Sequence, residues 1–249
     1  RAPMTSSAPA AIDMSVGSWT TSASPRTSPG PEIPVHDAIS PAGAAGFHLL
    51  GSVPEPHTIW RGVRALPAGT FMIVGRDGAG DPVPLFDLRA AIAEAEADAG
   101  DLKEALRDSV RAHLVADVPV GLFLSAGLDS TTLAGLAAEV SSGPVKAISL
   151  GFDEFAGIAN DEVPLASIAA SLYGCDHDIQ RVSAREFADC ADTILGDMDQ
   201  PTIDGVNVWF VSRAAQRSGL KVALSGLGGD ELFRGYDPFP AVPRILRMD

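Results

Sequence analysis

The chain has 249 residues, of which 46% are hydrophobic, and this is enough apolar material for one large domain or two small ones. Its 32 acidic and 18 basic side chains give a formal net charge of −14, which argues against nucleic acid or an anionic membrane surface as a partner. The sequence contains no run of about 18 apolar residues, and its two cysteines, Cys175 and Cys190, make no disulfide framework. We therefore expect a cytoplasmic protein with reduced thiols and no membrane partner.

The first third of the chain changes character twice. Residues 1–41 are rich in Ser, Thr, Ala, Pro and Gly without a sustained hydrophobic period, which predicts a disordered, low-complexity segment. Residues 47–74 combine turn residues with short apolar runs, a pattern typical of β-structure and loops. The pairs Asp77-Gly78 and Gly80-Asp81 predict a turn and linker over residues 76–84.

The rest of the chain alternates between helical and strand patterns. Residues 87–117 are predicted to be mostly helical, with an apolar face formed by Leu102, Leu106, Val110 and Leu114. Strands are predicted over residues 118–124, 145–152, 177–182 and 221–224, and helices over residues 128–140, 161–173, 184–195 and 205–218, with Ser183 as the cap of the third helix of this set. This alternation predicts an α/β fold with a doubly wound parallel sheet.

Residues 118–130 form a strand, a small-residue turn and the start of a helix, reading Val-Pro-Val-Gly-Leu-Phe-Leu-Ser-Ala-Gly-Leu-Asp-Ser. Such a turn gathers backbone N–H groups and a helix N-terminus around one point, which attracts phosphate. Asp129 would repel a phosphate unless a divalent cation lay between them. For this stretch alone, an ordinary strand-to-helix turn with Ser, Gly and Asp as capping residues is the alternative.

Residues 221–236 repeat the arrangement with a glycine-rich loop, reading Lys-Val-Ala-Leu-Ser-Gly-Leu-Gly-Gly-Asp-Glu-Leu-Phe-Arg-Gly-Tyr. Two such strand ends can meet at the carboxyl edge of one parallel sheet, where open α/β folds bind ligands. The chain has no Gly-x-x-x-x-Gly-Lys loop and no Gly-x-Gly-x-x-Gly opening a strand-helix unit, which argues against a kinase-like or NAD-binding protein. The five histidines lack His-Glu-x-x-His spacing, so no zinc site is expected, and His177 is predicted to be a polar strand-end residue.

Both loops carry a family resemblance. Residues 125–130 resemble the pyrophosphate-binding Ser-Gly-Gly-x-Asp-Ser loop of the N-type ATP pyrophosphatases. Residues 225–236 resemble the Ser-Gly-x-Gly-x-Asp-Glu-x-Phe-x-Gly-Tyr loop of the glutamine-dependent asparagine synthetases. The resemblance covers roughly residues 47–236 and makes the chain look like a fragment. It implies an adenine nucleotide α-hydrolase-like synthetase domain over residues 85–249, incomplete at its C-terminus, after a β-rich remnant of a class II glutamine amidotransferase domain and linker over residues 42–84.

The resemblance also implies an ATP site with Mg²⁺. Asp129 and Asp230 would hold the Mg²⁺, and Ser130 would act with them in catalysis. Hydroxyl and N–H groups of the first loop would bind the pyrophosphate portion of ATP, and strand-end residues would contact its adenosine portion. For the two leucines, a role in the core without nucleotide contact is the alternative. The nucleotide-binding candidates are Leu124, Ser125, Ala126, Gly127, Asp129, Ser130, Thr131, Leu150, Ser225 and Gly226.

The implied reaction is amide formation through an acyl-adenylate, with asparagine made from aspartate, ATP and ammonia or glutamine. Two departures bear on the acid that is activated. The residue after Ser225-Gly226 is often acidic in the family and is Leu227 here, and residues 199–207 lack the arginine of the family's Thr-Thr-x-Arg segment. Asp204 and Asn207 either line the acceptor pocket or begin the next helix as caps, and the cap is favoured for Asp204. An amide- or lactam-forming synthetase for a different acid, and an ATP-binding module without turnover, remain alternatives.

Glutamine hydrolysis in the family depends on a cysteine at the mature N-terminus, whose free α-amino group serves as the base. Residue 1 of this chain is Arg1, and the first cysteine is Cys175. We therefore expect no glutaminase activity from the chain itself, with ammonia supplied free or by a separate glutaminase chain. The family's helical region with a catalytic lysine is expected to lie beyond residue 249. The small-molecule partners are ATP, an amino acid and ammonia, and a homodimer is compatible with the resemblance.

Overall fold

The structure, a computed structural model, describes residues 38–95 and 100–239. The predicted disordered segment over residues 1–41 therefore lies outside the described residues, apart from residues 38–41. Helix α1 spans Pro41–Leu50. Four two-residue strands follow, β1 (Thr70–Phe71), β2 (Val74–Gly75), β3 (Gly78–Ala79) and β4 (Val83–Pro84), and then helix α2 (Leu88–Ala95).

The expectation of β-structure and loops is wrong for residues 47–50, which lie in α1. Local residues set the ends of this helix: Ser40 accepts a hydrogen bond from the Gly43 N–H at 3.2 Å, Pro41 occupies the first turn, and Gly51 ends the helix with φ +75°. The linker expected over residues 76–84 is partly strand. Arg76 and Asp77 form the turn between β2 and β3, Gly78 begins β3, and β4 pairs with β1.

The remaining elements bear out the predicted alternation. They are α3 (Leu102–His113), β5 (Val120–Phe123), α4 (Leu128–Val140), β6 (Lys146–Phe152), a short 3₁₀ helix (Asp153–Phe155), α5 (Val163–Leu172), β7 (Asp176–Val182), α6 (Ala184–Asp197), α7 (Gly205–Arg217), β8 (Val222–Leu224) and α8 (Gly229–Phe233). Strands β5 to β8 form one parallel sheet in the order β7-β6-β5-β8. No helix in residues 38–95 or 100–239 is both long enough and apolar enough to cross a membrane.

Side chains from the sheet enter a hydrophobic core on each face, as a doubly wound fold requires. On one face, Leu122 and Leu124 of β5 and its extension pack with buried residues of α3, α4 and α5. On the other face, the next residue of β5, Phe123, packs with Ile148 of β6 and Ala214 of α7. The predicted doubly wound parallel sheet is therefore confirmed. A third cluster around Phe210 joins α7 to α6 and to the end of β7.

The N-terminal residues pack onto the sheet domain just before α7. The Ile59 N–H donates to Oε1 of Gln200 at 2.6 Å, and the Ile203 N–H donates to the Gly51 carbonyl at 2.9 Å. Ser52 and Thr202 form an antiparallel bridge beside them. Residues 199–207, which contain the two candidate acceptor-pocket residues Asp204 and Asn207, are thus held by hydrogen bonds to backbone groups of residues 51–59.

Two predicted helix caps behave differently. The Ser183 hydroxyl accepts a hydrogen bond from the Glu186 N–H at 3.1 Å, which confirms Ser183 as the cap of α6. Asp204 stands at the cap position of α7, but its backbone is helical, with φ −85° and ψ −9°, and its side chain makes no capping bond. The capping role expected for the Asp204 side chain is therefore wrong, because a capping residue typically has an extended backbone and that of Asp204 is helical.

This difference predicts unequal effects of two matched substitutions. Ser183→Ala removes a capping bond and should lower the free energy of unfolding by about 1 kcal/mol. Asp204→Ala removes no capping bond and should change it by less than about 0.5 kcal/mol. Urea denaturation of both variants followed by circular dichroism measures the two values. Equal losses in the two variants would contradict the assignment of the caps.

Candidate active site

The carboxyl ends of β5, β6 and β8 lie side by side, and this brings the predicted site residues to one edge. Phe123 pairs with Ile148, and Leu122 pairs with Leu224. Continued two residues beyond these last pairs, the same register would bring Ser125 towards Leu150 and Leu124 towards Gly226. The two loops predicted to bind one nucleotide therefore leave the sheet from neighbouring strands.

The first loop is held by the hydroxyls of Ser125 and Ser130. Ser130 is buried, with 7% of its surface exposed, and its Oγ accepts a hydrogen bond from the Ser125 N–H at 3.1 Å. The two hydroxyl oxygens lie 2.9 Å apart, and Oγ of Ser125 accepts a bond from the Gly127 N–H at 3.1 Å. Thr131 donates its hydroxyl to the Gly127 carbonyl at 2.8 Å. All three hydroxyls proposed to bind pyrophosphate make hydrogen bonds within the loop, and Thr131 would have to release the Gly127 carbonyl before its hydroxyl could donate to a phosphate.

Backbone N–H groups of this loop are more readily available than its hydroxyls. The N–H groups of Leu128, Asp129 and Ser130 belong to the first turn of α4 and have no hydrogen-bond partner among the described residues. First-turn N–H groups lack a partner within their own helix and carry the positive end of its dipole. This turn is therefore suited to an anion such as pyrophosphate.

The second loop leaves β8 at Ser225 and enters the short helix α8. Gly228 precedes α8 with φ +96°, a backbone conformation that residues with a side chain rarely adopt. The Gly229 N–H donates to the Gly226 carbonyl at 3.2 Å. Leu227 lies at the tip of this loop with 85% of its surface exposed. The apolar residue that replaces the family's frequent acid thus faces solvent at the edge of the site.

The two loops touch at Asp129, where the second loop presents glycines. A Cβ at Gly226 would lie 3.0 Å from the Asp129 Cβ and 3.1 Å from the Ser130 nitrogen. A Cβ at Gly229 would lie 2.7 Å from Oδ1 of Asp129 and closer still to its Oδ2. Since real Cβ atoms essentially never come within 3.0 Å of another heavy atom, Gly229 provides the space that the carboxylate occupies.

The acidic groups of the site form one region of negative charge around Tyr236. The Tyr236 hydroxyl donates to Oε1 of Glu231 at 3.0 Å. That hydrogen bond, together with partial desolvation and the charges of Glu231, Asp230 and Asp129, raises the pKa of Tyr236 above its usual value. Both aspartates predicted to hold Mg²⁺ are therefore near enough to act on one hydroxyl.

This arrangement fits Mg²⁺ in a nucleotide site. Carboxylate oxygens are hard ligands, and Mg²⁺ usually takes one or two carboxylates together with substrate phosphates and water. Within residues 38–95 and 100–239, no group of three or more His, Cys, Asp or Glu side chains is arranged to hold a metal ion. Asp129 and Asp230 would accordingly hold the cation only together with the phosphates of ATP.

The other predicted residues divide into those that lie in the loops or at the strand ends and those whose side chains pack in the core. Ser125, Gly127 and Gly226 lie in the loops, and Ser225 is exposed at the strand end. The Leu124 side chain is 2% exposed and belongs to the core, whereas its backbone borders the first loop. Leu150 packs against two core clusters while keeping part of its surface exposed, and Ala126 and Thr131 complete the first loop.

No role was predicted from the sequence for three residues at this edge: Gly229, Glu231 and Tyr236. Glu231 and Tyr236 stood within the recognised second motif, but no role followed from the motif alone. The sequence feature that could have pointed to Gly229 is the pair Gly228-Gly229. The backbone of Gly229 is one that any residue can adopt, so the need for glycine there comes from the Asp129 carboxylate, which occupies the space of a Cβ. Cys175 and Cys190 are free thiols, as predicted, and burial raises the pKa of Cys175.

Comparison with known proteins identifies the family. Residues 101–248 match the family described as asparagine synthase. The chain belongs to the asparagine synthase family. Both loops at Asp129 and Asp230 lie inside the matched range.

Relatives in the asparagine synthase family match most of this chain. A putative asparagine synthetase (glutamine-hydrolyzing) of Mycobacterium bovis is 35% identical over 218 residues, which cover 81% of this chain and 33% of the relative. Asparagine synthetase (glutamine-hydrolyzing) 1 of Bacillus subtilis is 31% identical over 208 residues, which cover 78% of this chain and 32% of the relative. The chain thus spans about a third of the length of the curated relatives it matches.

A solved structure, the NH3-dependent NAD synthetase from Campylobacter jejuni, is also similar to part of the chain. The similarity covers 54% of this chain and 58% of that one, with 20% identity and a TM-score of 0.37.

Proposed function

We propose that this protein binds ATP with Mg²⁺ where the two loops meet and uses it to activate a carboxylic acid for amide formation. The observation that carries the proposal is the approach of the second loop to Asp129, made by Gly226 and Gly229. It joins an anion-binding helix start to two carboxylates, a combination that suits a metal-bound triphosphate and suits a free anion poorly.

Each part of the site has a role in this reaction. The first-turn N–H groups of α4 and the loop hydroxyls bind the pyrophosphate portion, and strand-end backbone at Leu124, Leu150, Ser225 and Gly226 borders the adenosine. Asp129 and Asp230 hold Mg²⁺, which offsets the negative charge of the phosphates and of the leaving pyrophosphate. Without it, a chain of net charge −14 would repel ATP.

Activation is needed because the carbon of a carboxylate is a poor electrophile. A carboxylate oxygen of the acid attacks the α-phosphorus of ATP, the bond to the bridging oxygen breaks, and pyrophosphate leaves with that electron pair. Ammonia then attacks the carbonyl carbon of the acyl-adenylate, loses a proton and expels AMP. Aspartate is the proposed acid and asparagine the product, in line with what the relatives are called. Ammonia comes from solution or from glutamine through a glutaminase.

A different acid is the second candidate, and two observations favour it. Residues 199–207 contain no arginine for a second carboxylate, and Gln200 in that segment is engaged by the Ile59 N–H. Leu227 places an exposed apolar side chain where the family often has an acid. The missing arginine favours an acceptor with less negative charge than aspartate, and the missing acid is a second departure from the family at the same site.

The test is exchange of labelled pyrophosphate into ATP, measured for the purified chain with Mg²⁺ and a panel of amino acids and other carboxylic acids. Exchange that requires aspartate is the expected result and supports asparagine formation. Exchange with another acid but not with aspartate supports the second candidate. Binding of MgATP without exchange for any acid would contradict adenylation by this chain and leave it a nucleotide-binding module.

A further inference from the structure

One polar side chain in the core of the sheet contacts the start of the first loop. Ser149 lies on β6 with only 2% of its surface exposed, among apolar residues. Its hydroxyl donates to the Leu124 carbonyl at 2.6 Å and lies 2.8 Å from Nε2 of His177 on β7. A buried hydroxyl and an imidazole in this position are unnecessary for packing, since alanine or valine would fill a core site without polar atoms to satisfy.

These contacts fix the peptide group between Leu124 and Ser125 at both ends. Its carbonyl accepts from Ser149, and its N–H donates to Oγ of Ser130 at 3.1 Å. The preceding N–H, that of Leu124, donates to the Ile148 carbonyl at 2.8 Å and continues the sheet. The plane of this peptide sets the direction in which the loop leaves β5, and therefore where the N–H groups of the loop point.

The groups present determine the direction of each hydrogen bond in the series that joins Leu124, Ser149 and His177. A carbonyl oxygen can only accept, so the single proton of the Ser149 hydroxyl is used on Leu124. Nε2 of His177 must then donate to the Ser149 oxygen, which requires a proton on that nitrogen. Burial lowers the pKa of His177, opposed by the neighbouring charge of Asp178, so the neutral form with the proton on Nε2 is favoured at pH 7. The histidine predicted as a polar strand-end residue thus orients a serine in the core.

We propose that Ser149, oriented by His177, is a positioning residue of the phosphate loop, holding the Leu124–Ser125 peptide in the orientation that binds the pyrophosphate portion of ATP. This inference rests on the proposed function, since it concerns the same nucleotide site. It adds a determinant that lies on neither loop and touches no substrate. Its effect should fall more strongly on the phosphates of the nucleotide than on the adenosine portion.

The experiment compares affinities for MgATP and for adenosine, by calorimetry on the full chain. Ser149→Ala should weaken MgATP binding about tenfold, the order expected for losing a buried hydrogen bond, and should weaken adenosine binding less. The matched pair Ser149→Thr and Ser149→Val differs only in the hydroxyl, and the threonine variant should bind MgATP more tightly than the valine variant. At position 177, His177→Gln retains an N–H donor and should bind like the parent, whereas His177→Leu should resemble Ser149→Ala.

The outcomes separate this inference from the proposed function. If the parent chain does not bind MgATP, the proposed function fails and the inference fails with it. If the parent binds and Ser149→Ala binds equally well, only the inference is overturned. An equal loss of MgATP and adenosine affinity, with a lower melting temperature and no rescue by threonine, would show a general role in folding and overturn the positioning role. If the Ser149 variants do not fold, His177→Gln and His177→Leu test the positioning role instead, by the same comparison of MgATP and adenosine affinities.

Discussion

Replacing Asp129 or Asp230 with asparagine should weaken MgATP binding by at least about tenfold, the scale on which altered metal sites lose affinity. Asparagine has the size of aspartate and keeps one oxygen, so the substitution removes the charge that holds Mg²⁺ with little change in packing. Both residues lie at the junction of the loops, where their charges act together on Tyr236. Calorimetric titration with MgATP measures the effect.

The same variants should respond in the opposite direction when Mg²⁺ is removed. In EDTA, the carboxylates of the parent repel the triphosphate directly, so each asparagine variant should bind free ATP as well as the parent or better. Asp189→Asn is the matched control, because Asp189 is an exposed residue of α6 outside both loops. Weaker binding of both variants with and without Mg²⁺ would indicate a disturbed loop and would contradict the assignment of the two acids to the metal.

Local sequence signals were sufficient for most of the sheet domain, apart from the Asp204 cap. Helix α4 begins at Leu128 and ends at Val140 as predicted, because a buried strand, a turn of small residues and an apolar period follow one another directly. Helix α6 begins after Ser183 for a similarly local reason, a serine three residues before a glutamate. Both loops of the candidate site were predicted for the same reason, since each is a continuous stretch of chain.

The errors occurred where contacts distant in sequence decide the structure. Helix α1 is rich in glycine and alanine without a clear apolar period, and a Cβ at its Gly46 would lie 2.9 Å from Cγ of Pro54 and closer still to its Cδ. Close packing of that kind cannot be read from a hydrophobic pattern. The connection of Ser149 to Leu124 and His177 depends likewise on strand register across the sheet, which no single segment of sequence specifies.

Gly229→Ala is the second substitution that should lower MgATP affinity strongly, because an added side chain at position 229 should displace the Asp129 carboxylate. In Gly229→Ala, the added Cβ would meet the carboxylate of Asp129 at 2.7 Å or less, so the carboxylate or the second loop must move. Crowding of this kind in a packed site costs about 1–3 kcal/mol, so MgATP affinity should fall by about fivefold or more. Alanine is a better helix former than glycine, so helix propensity in α8 works against this loss.

Two comparisons identify Asp129 as the group through which Gly229→Ala acts. Gly196→Ala in α6 is the control, because a Cβ there meets nothing within 4 Å; it should leave MgATP binding unchanged and stabilise the protein by about 0.5–1 kcal/mol. In an Asp129→Ala background the obstructed carboxylate is gone, so Gly229→Ala should cause little further loss of affinity. Additive losses in the double variant would mean that Gly229 and Asp129 act independently, and the contact between the two loops would not be what assembles the nucleotide site.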